Sequence, residues 1–219
     1  QYVKWADFQY EWEQIRTHSV QELQFPFSYR DGQKELMTHV YSTICHKKKL
    51  FIQAPTGVGK TISTLFPAIK AVGEGKAEKI FYLTAKTITR TVAIDTFDLL
   101  RESGLRMKTV LLTAKEKICP LDKAVCNPDA CPYAKGHYDR INEAVYDLLT
   151  GEDSFTREKI SEYALKHEVC PFEFSLDMSL FADGIVCDYN YLFDPHVYLK
   201  RFFETSSPGR YFFLVDEAH

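Results

Sequence analysis

The chain has 219 residues, 45% of them hydrophobic and 26% charged, with a formal net charge of −3, the balance of a globular protein with a sizeable core and room for one large domain or a domain with an insertion. A slightly acidic total excludes nucleic-acid binding by bulk charge, so any such contact has to come from local patches. No run approaches the roughly 18 apolar residues of a membrane span, and no secretory leader pattern opens the chain; the expectation is no membrane role and an intracellular place, cytoplasmic in a bacterium or nuclear in a eukaryote.

Residues 1–24 carry Trp5, Phe8, Trp12 and Ile15 at helical spacing, which predicts an amphipathic N-terminal helix whose aromatics pack on the domain instead of stacking on bases. After Phe25-Pro26-Phe27 a second helix is expected with Leu36, Val40 and Ile44 inward, and the basic run from His46 to Lys49 reads as a solvated turn. Leu50 to Ala54 is an apolar, strand-like run that breaks into Pro55-Thr56-Gly57-Val58-Gly59-Lys60-Thr61 and then a helix-compatible stretch. This is the form of a nucleotide phosphate cradle. Gly57 and Gly59 let backbone N–H groups approach phosphate, Lys60 supplies a point charge and Thr61 offers a hydroxyl to Mg²⁺. Ala54 stands where the usual pattern has its first glycine, and an ordinary strand-to-helix turn is the competing reading.

A helix from Thr61 to Val72, ended by Gly73 and Gly75, is followed by a buried strand from Lys79 to Thr84. The stretch from Thr84 to Arg90 then lies at that strand's carboxyl end, where α/β sheets bind ligands. Its hydroxyls, its helix-start N–H groups, Lys86 and Arg90 suit the sugar-phosphate backbone of a nucleic acid; the alternative is a capped helix start with no ligand. A helix over Thr91–Ser103 and a strand over Met107–Thr113 continue an alternation that predicts a parallel α/β sheet.

The alternation then stops for residues 114–183, too long for a structureless loop in a compact domain, so an inserted subdomain is expected. Its helices are predicted over Asp139–Leu149 and Arg157–His167, and its cysteines, Cys119, Cys126, Cys131 and Cys170, follow the spacing C-x6-C-x4-C-x38-C. Four thiols in so small a unit suggest a metal centre that staples it. The irregular gaps and following prolines favour an iron–sulfur cluster over zinc, which stays the alternative. Lys115, Lys117, Lys123, Lys135 and Arg140 interleave with Tyr133, His137 and Tyr138, suited either to single-stranded nucleic acid or to a solvated face. His167 reads as a face residue, and Cys45 and Cys187 as packing residues. Finally Tyr211–Val215 is a continuous apolar strand, expected to be covered on both faces, that delivers Asp216-Glu217-Ala218-His219. Asp216 is suited to hold Mg²⁺ and Glu217 to direct the attacking water.

The pairing of Ala54-Pro55-Thr56-Gly57-Val58-Gly59-Lys60-Thr61 with Asp216-Glu217-Ala218-His219 resembles motifs I and II of the superfamily 2 helicases. Adding the Thr84–Arg90 segment, the four-cysteine insertion and Cys187-Asp188-Tyr189-Asn190-Tyr191-Leu192-Phe193-Asp194-Pro195 makes the order similar to the iron–sulfur DNA helicases of the XPD/DinG type, from about Phe25 to His219. The resemblance implies a RecA-like P-loop sheet, α/β, with a mainly helical iron–sulfur insertion. It implies domains at 1–24, at 25–113 with 184–219, and at 114–183. It implies ATP and Mg²⁺ at Thr56, Gly57, Val58, Gly59, Lys60, Thr61 and Asp216, with Gln33 on the adenine edge and Glu217 catalytic. It further implies a 4Fe-4S cluster on Cys119, Cys126, Cys131 and Cys170, DNA contacts at Thr84, Lys86 and Arg90, and 5′ to 3′ movement on single-stranded DNA up to its junctions with duplex. Because the chain lacks an initial Met and stops after the Asp-Glu-Ala-His motif, it is expected to be part of a longer DNA-repair enzyme and not to unwind DNA alone. Two other readings stay open: a P-loop ATPase with a zinc-stapled, partner-binding insertion, and a non-catalytic DNA-binding module.

Overall fold

The computed structural model describes residues 2–55, 57–207 and 209–218. It divides into two compact units, Gln1–Met107 with Val186–His219, and Lys108–Ile185.

The first unit opens with helix α1 (Tyr2–Glu22). Its inward stripe runs from the half-buried Trp5, Phe8 and Trp12 to the buried Ser19 and Val20, with Leu23 buried just beyond the helix, while Ile15, expected inward, is exposed. Steps of three and four residues from Trp12 lead to Arg16 and Ser19, so Ile15 falls off the stripe's edge. Helix α2 (Gln33–Cys45) buries Gln33, Met37, Val40 and Ile44, and helix α3 (Lys60–Gly73) buries nearly its whole central length from Leu65 to Ile69. At the end of α3, Gly73 admits α1: a Cβ there would stand 2.3 Å from Val20 Cγ1. Lys70 Nζ donates to the carbonyls of Val20 and Gln21 at 2.6 and 3.0 Å, placing a cation at the carboxyl end of α1, where free carbonyls and helix dipole favour it.

Strand β1 (Lys79–Leu83) follows, then helix α4 (Thr87–Glu102). This helix starts a turn earlier than the periodicity predicts, so Thr87–Arg90 form its first turn.

The second unit contains β2 (Thr109–Leu111), the single-turn α5 (Lys115–Ile118), α6 (His137–Gly151), β3 (Ser154–Phe155), α7 (Arg157–Lys166) and α8 (Pro171–Phe181). It leads into β4 (Gly184–Cys187). Strand β2 pairs parallel with β3, Val110 opposite Phe155. The buried Lys108 reaches Asp153 Oδ1 at 2.7 Å and the Glu152 carbonyl at 2.5 Å, and its N–H donates to Asp183 Oδ2 at 2.9 Å. A cation so deep is tolerated because each partner is in place. Sequence periodicity missed α8: Phe172, Phe174, Leu176, Met178 and Leu180 alternate like a strand. With Cys170 at the cap position and Pro171 pre-set for the first turn, a helix forms instead and buries Phe174, Ser175, Met178 and Ser179.

Back in the first unit, short helices α9 (Asn190–Phe193) and α10 (Lys200–Phe203) precede β5 (Tyr211–Val215). Strand β1 lies between β4 and β5. It runs parallel to β5 in the register Lys79 opposite Tyr211 to Leu83 opposite Val215. Phe81 packs against Phe202, Phe203, Tyr211 and Phe213 with ring centroids 5.3–5.7 Å apart, which fixes β5 on β1. Two expectations fail here. Leu50–Ala54 forms no strand, and Phe51 is 88% exposed. Strand β5 is not covered on both faces, since Phe213 and Val215 are exposed and only Leu214 in the strand is buried. An apolar run becomes a buried strand only when a ladder partner takes its N–H and C=O groups, and among the described residues Leu50–Ala54 has none. No described helix is long and apolar enough to cross a membrane.

Candidate functional site

The phosphate-loop residues close into a tight turn at the start of α3. Gly57 and Gly59 have φ of +87° and +76°, the left-handed region where a side chain is strained. Gly59 stands at the cap of α3 and brings no side chain there, so orphan N–H groups of the first helical turn are left to meet an anion. Lys60 Nζ donates to Ala54 O at 3.2 Å, folding its ammonium over the loop. Thr56 lies outside the described residues.

The loop is held from the segment before α2. The Arg30 guanidinium donates to Gly57 O. Gln33, 3% exposed, donates from Nε2 to Val58 O at 3.2 Å and to Ser63 Oγ at 3.0 Å, while its Oε1 accepts from Arg30 N at 3.1 Å. The amide expected on an adenine edge is thus engaged inside the protein, with both Nε2 hydrogens used. An added Cβ on Gly59 would sit 3.1 Å from that same Nε2, so the second glycine admits Gln33 as much as any phosphate.

The end of β5 faces this loop within the same unit. Asp216 N donates to Leu83 O at 3.0 Å, carrying the β1–β5 ladder one step further. The buried Tyr82 phenol lies near Thr61 and the Asp216 carboxylate; burial, and then the Asp216 charge, push its pKa well up. Glu217 has φ +56°, unusual for a residue with a side chain. Tyr189 donates its hydroxyl to Asp216 O, with Glu217 O at 3.4 Å, and Lys86 Nζ meets Glu217 Oε2 at 2.8 Å. That hydrogen bond, with the charge behind it, raises the Lys86 pKa. His219 lies outside the described residues.

The three residues expected on a nucleic-acid backbone differ in kind. Thr84 has no exposed surface, and its hydroxyl is engaged with Thr89 and with Lys86 N; it shapes the turn and is out of a strand's reach. Arg90 is held by Asp188 at 3.6 Å and by Ala85 O at 3.2 Å. Lys86 stays open to solvent beyond its contact with Glu217.

In the second unit Cys119, Cys126, Cys131 and Cys170 line one cavity together with Pro120, Pro171 and Phe172. All four are free thiols. Burial pushes the Cys170 thiol up, and its N–H donates to His137 Nδ1 at 3.2 Å. Among the described residues no three His, Cys, Asp or Glu side chains are grouped closely enough to hold a single metal ion; the observation that bears on a cluster is the shared, thiol-lined cavity. The basic and aromatic residues around it are not all available for a strand. Arg140 donates to the carbonyls of Lys135, His167 and Glu168, and His137 is buried, whereas Tyr138 is fully open. His167 meets Asp147 at 2.7 Å. Cys187 is buried as a packing residue and Cys45 only partly so.

Sequence reasoning passed over Arg30, Tyr82 and Tyr189. Arg30 was findable, since Asp31-Gly32 turns the chain so that it and Gln33 approach the same loop. Tyr82 and Tyr189 act across strands and carry no local signal.

Comparison with known proteins agrees with this geometry. The DEAD_2 family model matches residues 93–219, and the DEAD/DEAH box helicase model matches residues 30–130. The chain is 30% identical to Bacillus subtilis DinG, which is named as a 3′-5′ exonuclease, over 95% of this chain and 24% of that protein. It is 24% identical to the human regulator of telomere elongation helicase 1 over 89% of this chain and 20% of that protein. Among solved structures a truncated XPD superposes with a TM-score of 0.60 at 19% identity, covering 85% of this chain and 52% of that one. The chain spans about a quarter or less of the length of these curated relatives. The fold is the parallel-sheet, RecA-like helicase fold, and the chain belongs to the DEAD_2 family, as a superfamily 2 helicase domain of the XPD/DinG type.

Proposed function

We propose that this chain is the first motor domain of an ATP-dependent DNA helicase that moves 5′ to 3′ on single-stranded DNA and opens duplex at the junction, in the service of DNA repair. The observation that carries this reading is the parallel pairing of β1 with β5, continued by Asp216 N donating to Leu83 O at 3.0 Å; it sets Tyr82 of β1 near both Thr61 and Asp216, so the two suited Mg²⁺ ligands share one neighbourhood although they come from opposite ends of the sequence. Gly57, Val58 and Gly59 offer backbone N–H groups, and with Thr56 and Lys60 they hold the phosphates. Thr61 and Asp216 hold Mg²⁺, which when bound neutralises phosphate charge. Glu217 orients and deprotonates the attacking water. Gln33 braces the loop, and the second lone pair of its Oε1 remains for the adenine amino group. Lys86 and Arg90 take the strand's backbone.

In the same reading the segments are 1–24, 25–113 with 184–219, and 114–183. The thiols of Cys119, Cys126, Cys131 and Cys170 hold a 4Fe-4S cluster that ties the insertion together; their common cavity is the support for it. The test uses the full-length protein: ATPase with and without single-stranded DNA, strand separation on duplexes with 5′ or 3′ tails, and iron and sulfide analysis after anaerobic purification. Glu217→Gln should bind Mg-ATP yet turn over at least about 100-fold more slowly. Hydrolysis indifferent to DNA, or separation from 3′ tails only, would sink the reading, and zinc in place of iron would replace the cluster.

A further inference from the structure

Two residues with separate duties in the proposed mechanism are joined. Lys86, assigned to a nucleic-acid backbone, and Glu217, assigned to water, form an ion pair at 2.8 Å, their side chains 64% and 38% exposed. The rest of the neighbourhood keeps that pair in register. Lys86 sits at the cap position of α4, in the turn that follows the paired end of β1 at Leu83, and Glu217 sits in the turn that follows the paired end of β5 at Val215. Glu217 is held in a left-handed backbone conformation, and Tyr189 ties down the carbonyl before it.

We infer that Lys86 is a positioning residue for Glu217, a latch that occupies the carboxylate until a nucleic-acid phosphate takes the ammonium. The inference rests on the helicase reading and adds to it the link by which DNA switches on hydrolysis. The chemistry is a competition. A carboxylate whose oxygen accepts a charge-assisted hydrogen bond from an ammonium has one oxygen fewer for water. One ammonium cannot serve a carboxylate and a phosphate fully at once. An exposed ion pair contributes little in water, whereas a nucleic-acid strand presents a dense line of phosphates and gains by releasing its counterions. Lys86 is the side chain more open to that exchange, because the half-buried Arg90 is already braced by Asp188 and the Ala85 carbonyl. By reciprocity, whatever frees Lys86 from Glu217 must also strengthen the protein's grip on the strand.

The test is a double-mutant cycle on oligonucleotide affinity in the full-length protein, read by fluorescence anisotropy of a labelled oligo-dT without nucleotide or Mg²⁺. Glu217→Gln should tighten binding by about two- to five-fold when Lys86 is present, the range expected of an exposed pair, and should do nothing in the Lys86→Ala background. In parallel, Lys86→Ala should raise DNA-independent ATPase by about the same factor, and Lys86→Arg should restore the low rate. Equal tightening in both backgrounds would mean a general field effect and overturn the latch, as would an unchanged or lower basal rate in Lys86→Ala. Failure of the parent protein to bind oligo-dT at all would instead overturn the nucleic-acid reading, and the latch with it.

Discussion

Replacing Gln33 by Met distinguishes a residue that braces the phosphate loop from one that only reads the base. The substitution keeps length and apolar stem while removing three hydrogen bonds, to Arg30 N, Val58 O and Ser63 Oγ. At roughly 0.5–1.5 kcal/mol net for each bond the loss is about 3 kcal/mol; burying the more apolar Met returns about 1 kcal/mol, leaving about 2 kcal/mol. Because Val58 and Ser63 flank Gly59, the loss falls on local opening of the loop and not on the whole domain. Amide hydrogen exchange over residues 57–63 should therefore quicken by about 30-fold, the factor that 2 kcal/mol represents. Affinity for tripolyphosphate, which has no base, should fall in parallel with affinity for ATP. If exchange in the loop and tripolyphosphate binding are unchanged while ATP binding alone weakens, Gln33 reads adenine and braces nothing.

Gly73→Ala puts a methyl 2.3 Å from Val20 Cγ1; overpacking of about 1–3 kcal/mol should outweigh the helix-propensity gain of about 1 kcal/mol, loosening α1 to limited proteolysis. A Val20→Ala partner substitution should restore protection. Cys131→Ser should lose most of the bound iron and sulfide and make residues 108–185 protease-sensitive while β1 and β5 stay protected, because the staple is local; retained iron would refute the ligand assignment. Asp147→Asn removes a carboxyl that hydrogen bonds from Lys166, and then from His167, hold below its ordinary 3.8. A depressed carboxyl adds stability above the unfolded value and loses it as pH falls through the folded one. The parent should thus be modestly more stable than Asp147→Asn at neutral pH, the pair being largely exposed, and the gap should close in acid; a gap that widens in acid would contradict the sign.

Local chemistry determined a good deal of this protein. The glycines of the phosphate loop, the apolar runs at β1 and β5, the helical periods of α1, α2, α6 and α7, and an Asp-Glu pair at a strand end are each written within a few residues, since backbone preference and side-chain period act at that range. Where range exceeds a turn or two, the sequence misled or fell silent. The apolar Leu50–Ala54 promised a strand, but a strand exists through its partner, and α8, whose apolar residues alternate along the chain, went unread because tertiary burial selected its helix. Thr84 has the chemistry of a phosphate contact, and its burial removes it from one. What only the tertiary structure decided is which distant groups meet. Parallel pairing of β1 with β5 sets Leu83 beside Val215, so the residues just past each strand, Lys86 and Asp216-Glu217, come within hydrogen-bonding reach of one another or of a common partner. No local pattern encodes that meeting, because it follows from strand register, and register is set by the packing of Phe81 against Phe202, Phe203, Tyr211 and Phe213.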